Sequence, residues 1–191
     1  MKIVAEDVGK KFGKNWIFRH LNFEIEPGSC VAITGKNGSG KSTLLQLIGG
    51  YLSPSQGRCR YGAHDTLDLV SVAFVGPYTD LIEEFTLMEF LHFHAQFRNP
   101  KVPFQEMADR ASLPLNKFIG DFSTGMKQRV KLITAFFFDN EIVFFDEPTA
   151  NLDEEGSKWW AKEILEIRSK IVVIASNQAH EISQCTSAIN L

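Results

Sequence analysis

Residues 35 to 43 read GKNGSGKST. Gly35, Gly40, Lys41 and Ser42 fill the spacing G-x-x-x-x-G-K-[ST], which suits one kind of chemistry. A polyphosphate needs many donors at close range, and backbone N–H groups of a curled loop supply them. Glycines at 35, 38 and 40 allow backbone conformations that a Cβ would forbid. Lys36, Asn37 and Ser39 complete the loop, and Thr43 falls in the turn that follows. Lys41 puts a compact charge beside the β- and γ-phosphates, and the Ser42 hydroxyl can ligate Mg²⁺. A helix opening at Lys41 would aim its positive end at the same anions.

The flanks agree with that reading. SCVAIT, residues 29 to 34, is a short apolar run of buried-strand type. After Ser42, Leu44, Leu45 and Ile48 recur at helical spacing before a Gly pair. A second constellation is EIVFFDEP, an apolar run ending in Asp146 and Glu147. Adjacent acids at the end of a buried strand are costly without a cation. In parallel α/β sheets that edge is where ligands sit. A solvated acid pair is the bland alternative.

The elements that must position these groups alternate. Residues 2 to 8 and 15 to 26 show strand-like alternation around a KKFGKN turn, with Ile17, Leu21, Phe23 and Ile25 sharing a side. LVSVAFV, residues 69 to 75, is expected as a buried strand. A helix-rich stretch covers roughly residues 84 to 118, with Leu87, Phe90, Leu91 and His94 at i, i+3, i+4, i+7. Pro100, Pro103 and Pro114 punctuate it. Further helices are expected over 123–138 and 154–169, and IVVIAS (171–176) is another buried strand. This order predicts a mostly parallel α/β sheet.

The sequence of motifs resembles the ATP-binding cassette (ABC) ATPases over essentially the whole chain. The phosphate loop comes first, then a helical insert, then DFSTGMKQRV at 121–130, then IVFFDEPTANLD at 142–153. FSTGM stands where that family carries LSGGQ, and Ala150 to Asp153 stand in its D-loop. The resemblance implies a P-loop NTPase fold in one domain, 1–191, with an N-terminal antiparallel β subdomain and a helical insert at about 77–125. It implies ATP and Mg²⁺ as ligands, with Asp146 and Ser42 on the metal and Glu147 polarising the attacking water. Ser123 and Gly125 would donate to a γ-phosphate held by the opposite subunit of a nucleotide-sandwich dimer. Phe12 stands where an aromatic ring stacks on adenine. The STGMKQR form is similar to cassettes of ABC exporters.

Two positions depart from the family pattern. Pro77 stands where the family places a Gln after the strand that starts the insert. Asn177 stands where it places a His after the last core strand, and there it is the candidate γ-phosphate donor; His180, three residues on, is expected to point elsewhere. Simpler roles compete with the specific ones. Ser123 could act only as an N-cap. Trp16 rivals Phe12 as the adenine platform. Phe136, Phe137 and Phe138 read as core. Phe85, Phe90 and Phe93 could form a groove for a membrane subunit if exposed.

Composition narrows the partners. The 191-residue chain carries a net charge of −3 and no basic run, so no nucleic acid is expected. Cys30, Cys59 and Cys185 are far apart in sequence, fit no metal-ligand pattern and read as reduced cytosolic thiols. The five histidines show no ligand spacing with Cys or acid. MKIVAEDVGKKFG lacks an apolar signal core, and no stretch approaches the ~18 apolar residues of a membrane span. The expectation is therefore a cytoplasmic ATPase subunit lying on the inner face of the cell membrane through integral membrane transporter subunits. The rivals are a soluble ABC-type ATPase and a nucleotide-dependent regulatory switch with weak turnover.

Overall fold

The computed structural model describes all residues, 1–191. Two sheets share the chain. Strands β1 (Ile3–Phe12), β2 (Asn15–Ile25) and β4 (Gln56–Tyr61) form an antiparallel sheet ordered β2-β1-β4. Strands β5 (Val72–Val75), β6 (Ile142–Asp146), β7 (Ile171–Ala175), β3 (Cys30–Thr34) and β8 (Ser187–Asn190) form a parallel sheet in that spatial order. The helices are α1 (Lys41–Ile48), α2 (Leu87–His94), α3 (Phe104–Ala111), α4 (Thr124–Phe136), α5 (Glu154–Glu166) and the short α6 (Ala179–Ile182).

The parallel strands are apolar on both faces because both faces are covered. Every residue of β6 and β7 is buried. Val143 and Phe145 pack with α2, α3, α4 and α5 on one side. Ile142 and Phe144 alternate to the other side, against α1 and the antiparallel sheet. Trp160 of α5 is fully buried and meets the Phe145 ring edge-on.

The expected elements appear with three corrections. The run 69–75 is a strand only from Val72, because Leu69–Ser71 form a 3₁₀ turn capped by Asp68, whose carboxylate accepts the Val70 N–H at 3.0 Å. The helix-rich stretch resolves into α2 and α3, each of eight residues. Thr86 and Glu89 close a capping box at the start of α2, and Pro103 immediately precedes α3. Strands β4 and β8 were not expected. β4 pairs with β1, placing Arg58 and Arg60 outward against Glu6 and Cys59 and Tyr61 inward.

Candidate active site

The C-terminal ends of β3, β6, β7 and β5 lie along one edge of the parallel sheet. They deliver, in turn, the phosphate loop, Asp146–Glu147, Asn177 and Gly76–Pro77. The loop curls tightly. Gly40 has φ +101, and a Cβ there would lie 2.3 Å from Ile17 Cγ2, so the antiparallel sheet presses directly on the loop. Gly35 has φ +148, and a Cβ there would lie 2.7 Å from the Leu191 carbonyl oxygen. No side chain caps the first turn of α1, which leaves its N–H groups for an anion.

Lys41 is buried, and its Nζ spans the loop by donating to the carbonyls of Gly35 (3.1 Å) and Lys36 (3.3 Å). The Ser39 N–H donates to the Lys36 carbonyl at 3.0 Å. Lys36, Asn37 and Gly38 form the exposed crest of the loop. The Asn177 amide lies 2.8 Å from Asn37 Oδ1. Turned over, its nitrogen donates to the Gly35 carbonyl at 2.7 Å and its oxygen accepts from Lys41 Nζ at 3.1 Å, which satisfies both ends. Asn177 is thus an arm of the phosphate loop.

Asp146 is almost wholly buried, and its Oδ2 has no hydrogen-bond partner. Burial raises its pKa above the ordinary 3.8; the adjacent Ser42 hydroxyl pulls it back, the Glu147 charge raises it further and Lys41 lowers it. An orphaned buried carboxylate oxygen beside a hydroxyl is a fit for a hard divalent cation, which takes oxygen ligands and keeps positions for phosphate and water. Glu147 is exposed and has φ +49, a left-handed backbone that costs a non-glycine residue about 1–3 kcal/mol. Its N–H donates to the Ala175 carbonyl at 3.0 Å, which ties this turn to β7.

Ser42 borders two cavities. One, about 470 Å³, is lined by Asp146, Glu147, Pro77, Gln128 and Lys131 among others. The other, about 490 Å³, is lined by Phe12, Thr43, Tyr51, Phe74 and Tyr78 among others. Phe12 is half exposed at the second. The ring of its rival Trp16 is flanked by Arg19 (4.3 Å) and Lys11 (5.4 Å) and does not line that cavity. Ser123 caps α4 by accepting the Met126 N–H at 3.2 Å. Gly125 sits under the Asn151 carbonyl, 2.8 Å from where a Cβ would be. Neither Ser123 nor Gly125 lines the two cavities.

Several supports were not singled out from sequence. Gln128 Nε2 donates to the Pro148 carbonyl at 2.8 Å, pinning the turn after Glu147 to α4. The fully buried Glu181 accepts from the Thr149 N–H at 2.8 Å and from its hydroxyl. His180 Nε2 lies 3.0 Å from Thr149 Oγ1, so it addresses the acid turn. Lys131 Nζ lies 3.4 Å from the Gly76 carbonyl, bringing a cation into the cavity where Pro77 offers no amide. Phe136, Phe137 and Phe138 are core, as is Phe90, while Phe93 is exposed.

A family model described as "ABC transporter" matches residues 18–150. The chain belongs to the ABC transporter family. It is the ATP-binding, ATP-hydrolysing cassette of that family. It is 30% identical over 188 residues to the ABC transporter ATP-binding protein NatA of Bacillus subtilis, covering 90% of this chain and 76% of NatA. It is 30% identical over 172 residues to the ribose import ATP-binding protein RbsA of Oceanobacillus iheyensis; the match covers 81% of this chain but only 35% of RbsA. Among solved structures, a putative ABC transporter ATP-binding protein from Pyrococcus furiosus superposes with a TM-score of 0.85 at 28% identity, covering 100% of this chain and 98% of that one. The fold also matches a dimeric post-hydrolysis state of the ATP-binding cassette MJ0796 bound to ADP and Pi, at a TM-score of 0.86 and 24% identity, covering 99% of this chain and 94% of that one.

Proposed function

We propose that two copies of this cassette sandwich two ATP molecules and so drive transport through separate integral membrane subunits. The observation that carries the reading is the edge where Lys41, Ser42 and the orphaned, buried Asp146 converge below an exposed Glu147. Lys41 and the N–H groups of residues 35–43 bind and orient the β- and γ-phosphates. Ser42 and Asp146 would hold Mg²⁺, which when bound would neutralise charge on the transferring phosphoryl group. Glu147 holds the attacking water in line with the γ-phosphorus and draws off its proton. Its strained backbone, fixed by the bond to Ala175, aims the carboxylate into the cavity where that water must sit. Asn177 orders the loop beneath. Ser123 and Gly125, at the start of α4, close over the γ-phosphate of the second copy. Phe12 stacks on the adenine.

Membrane partners are supported by exposed apolar surface. Phe93, Phe97 and Phe118 are exposed, with Phe93 in edge contact with Phe85 and Phe97. No helix is long and apolar enough to cross a membrane. The chain would then lie on the cytoplasmic face. Export as the direction rests on the STGMKQR segment alone, since RbsA is an importer by name.

Sedimentation of Glu147→Gln tests the reading. With MgATP the variant should run as a dimer that hydrolyses nothing, and without nucleotide as a monomer. A dimer that ignores nucleotide, or undiminished hydrolysis, contradicts it.

A further inference from the structure

The three cysteines are not equivalent. Cys59 is buried alone in the antiparallel sheet, and burial pushes its thiol up to about 11. Cys30 opens β3, and Cys185 lies just before β8. Parallel pairing sets Val31 opposite Ser187, and the Thr186 N–H donates to the Cys30 carbonyl at 2.9 Å. This register brings the two Sγ atoms to 2.9 Å, less than ~1 Å beyond the ~2.05 Å of a disulfide bond. The backbones already stand as neighbouring strand ends. Cys185 is partly open to solvent, whereas Cys30 is 8% exposed. Separation in sequence thus misled on one point: two of the three thiols touch.

We propose that Cys30 and Cys185 are a dithiol site that a small peroxide converts to an intramolecular disulfide, stapling β8 to the strand that leads into the phosphate loop.

The two sulfurs share a hydrogen bond in which either can be the donor. That bond lowers the Cys30 pKa, burial opposes it and the Arg168 charge adds to it, so the first attack is assigned to Cys30. The Cys30 thiolate attacks one peroxide oxygen; an S–O bond forms, the O–O bond breaks, and hydroxide leaves as water after taking a proton from solvent. The Cys185 sulfur then attacks the sulfenic sulfur. An S–S bond forms, the S–OH bond breaks, and the departing hydroxide takes the Cys185 proton as a second water. Two electrons pass from the thiol pair to the peroxide. With Cys30 only 8% exposed, a small peroxide reaches its sulfur more readily than a bulky disulfide would. No His, Asp or Glu joins the pair to make a metal site. In a reducing compartment such a bond is transient, as expected of a redox-responsive thiol pair.

The link closes a span of 155 residues. It also fixes β8, whose end abuts the loop: the Leu191 N–H donates to the Thr34 carbonyl at 2.9 Å.

The test is a peptide map of the reduced wild-type chain after brief hydrogen peroxide treatment and alkylation of the remaining thiols. The expected product is one cross-linked peptide pair, Cys30 with Cys185, two hydrogens lighter and reversed by dithiothreitol, with Cys59 alkylated. The oxidised chain should unfold roughly 5–15 °C higher than the reduced one. Cys185→Ser should show no such rise and should carry Cys30 sulfenic acid, trapped by dimedone. Recovery of Cys30 and Cys185 both alkylated, or of Cys30 as sulfinic acid without the link, overturns the proposal. The wild-type map decides even if Cys185→Ser folds poorly.

Discussion

Asp146→Asn should stabilise the nucleotide-free cassette while removing its response to Mg²⁺. Asp146 is 3% exposed, and its Oδ2 has no partner. A buried polar group left unsatisfied costs about 1–3 kcal/mol, and more when charged. The carboxylate therefore destabilises the empty protein near neutrality. Its pKa is raised in the folded state, mainly by burial. The folded chain thus holds the proton more tightly than the unfolded chain does. The stability this gives is fully present below the ordinary value of 3.8 and is lost as pH rises through the raised folded value. Asparagine carries no such titration, so the gap between variant and wild type should be widest near pH 7 and should close toward pH 4. For a chain of this size 1 kcal/mol is worth about 2–4 °C, which predicts a rise of roughly 2–12 °C at pH 7 in EDTA. Thermal unfolding by circular dichroism across pH 4–8 measures it. Repeating the melts with ATP, with and without Mg²⁺, should show a metal-dependent shift in wild type only. A variant that melts below wild type in EDTA at pH 7, or a gap that ignores pH, would refute the reasoning.

Three further outcomes follow from the same geometry. Lys131→Met should weaken ATP binding relative to ADP by about tenfold, the loss of one part-buried charge-assisted bond of ~1.5 kcal/mol; calorimetry showing an equal loss for both nucleotides would mean Lys131 does not face the γ-phosphate. Asn177→His should raise kcat by roughly 10- to 150-fold with little change in KM, by adding a charge-assisted bond of ~1.5–3 kcal/mol in the transition state; a fall in kcat in steady-state assays would mean that ordering Gly35 and Lys41 is the larger role of Asn177. Gly40→Ala should cost roughly 2–5 kcal/mol through its left-handed backbone and the overlap with Ile17, and an unchanged urea midpoint would contradict that packing.

The parts of this site that could be read from sequence are those whose physics is local. The phosphate loop announces itself because curling backbone around phosphate demands glycine at fixed offsets, and Gly35 and Gly40 are indeed held at positive φ. Asp146 and Glu147 could be read because the four apolar residues before them, Ile142 to Phe145, had to be a buried strand. β4 carried a usable signal in its alternation of Arg58 and Arg60 with Cys59 and Tyr61, but the charges masked it. β8 carried almost none, since an edge strand of mostly exposed residues has no face to pattern. What stayed hidden depends on register between distant segments. Lys131 reaches the Gly76 carbonyl across 55 residues, Glu181 holds Thr149 across 32, and Cys30 meets Cys185 across 155. Nothing in the neighbourhood of any one of these residues names its partner. Each pair is decided only when β3 settles between β7 and β8 and α4 settles under the acid turn. That is also why Pro77 cannot be judged by its own position. The structure sets a lysine opposite it, so the amide missing from one strand end is faced by a cation from a helix that sequence order places more than fifty residues away.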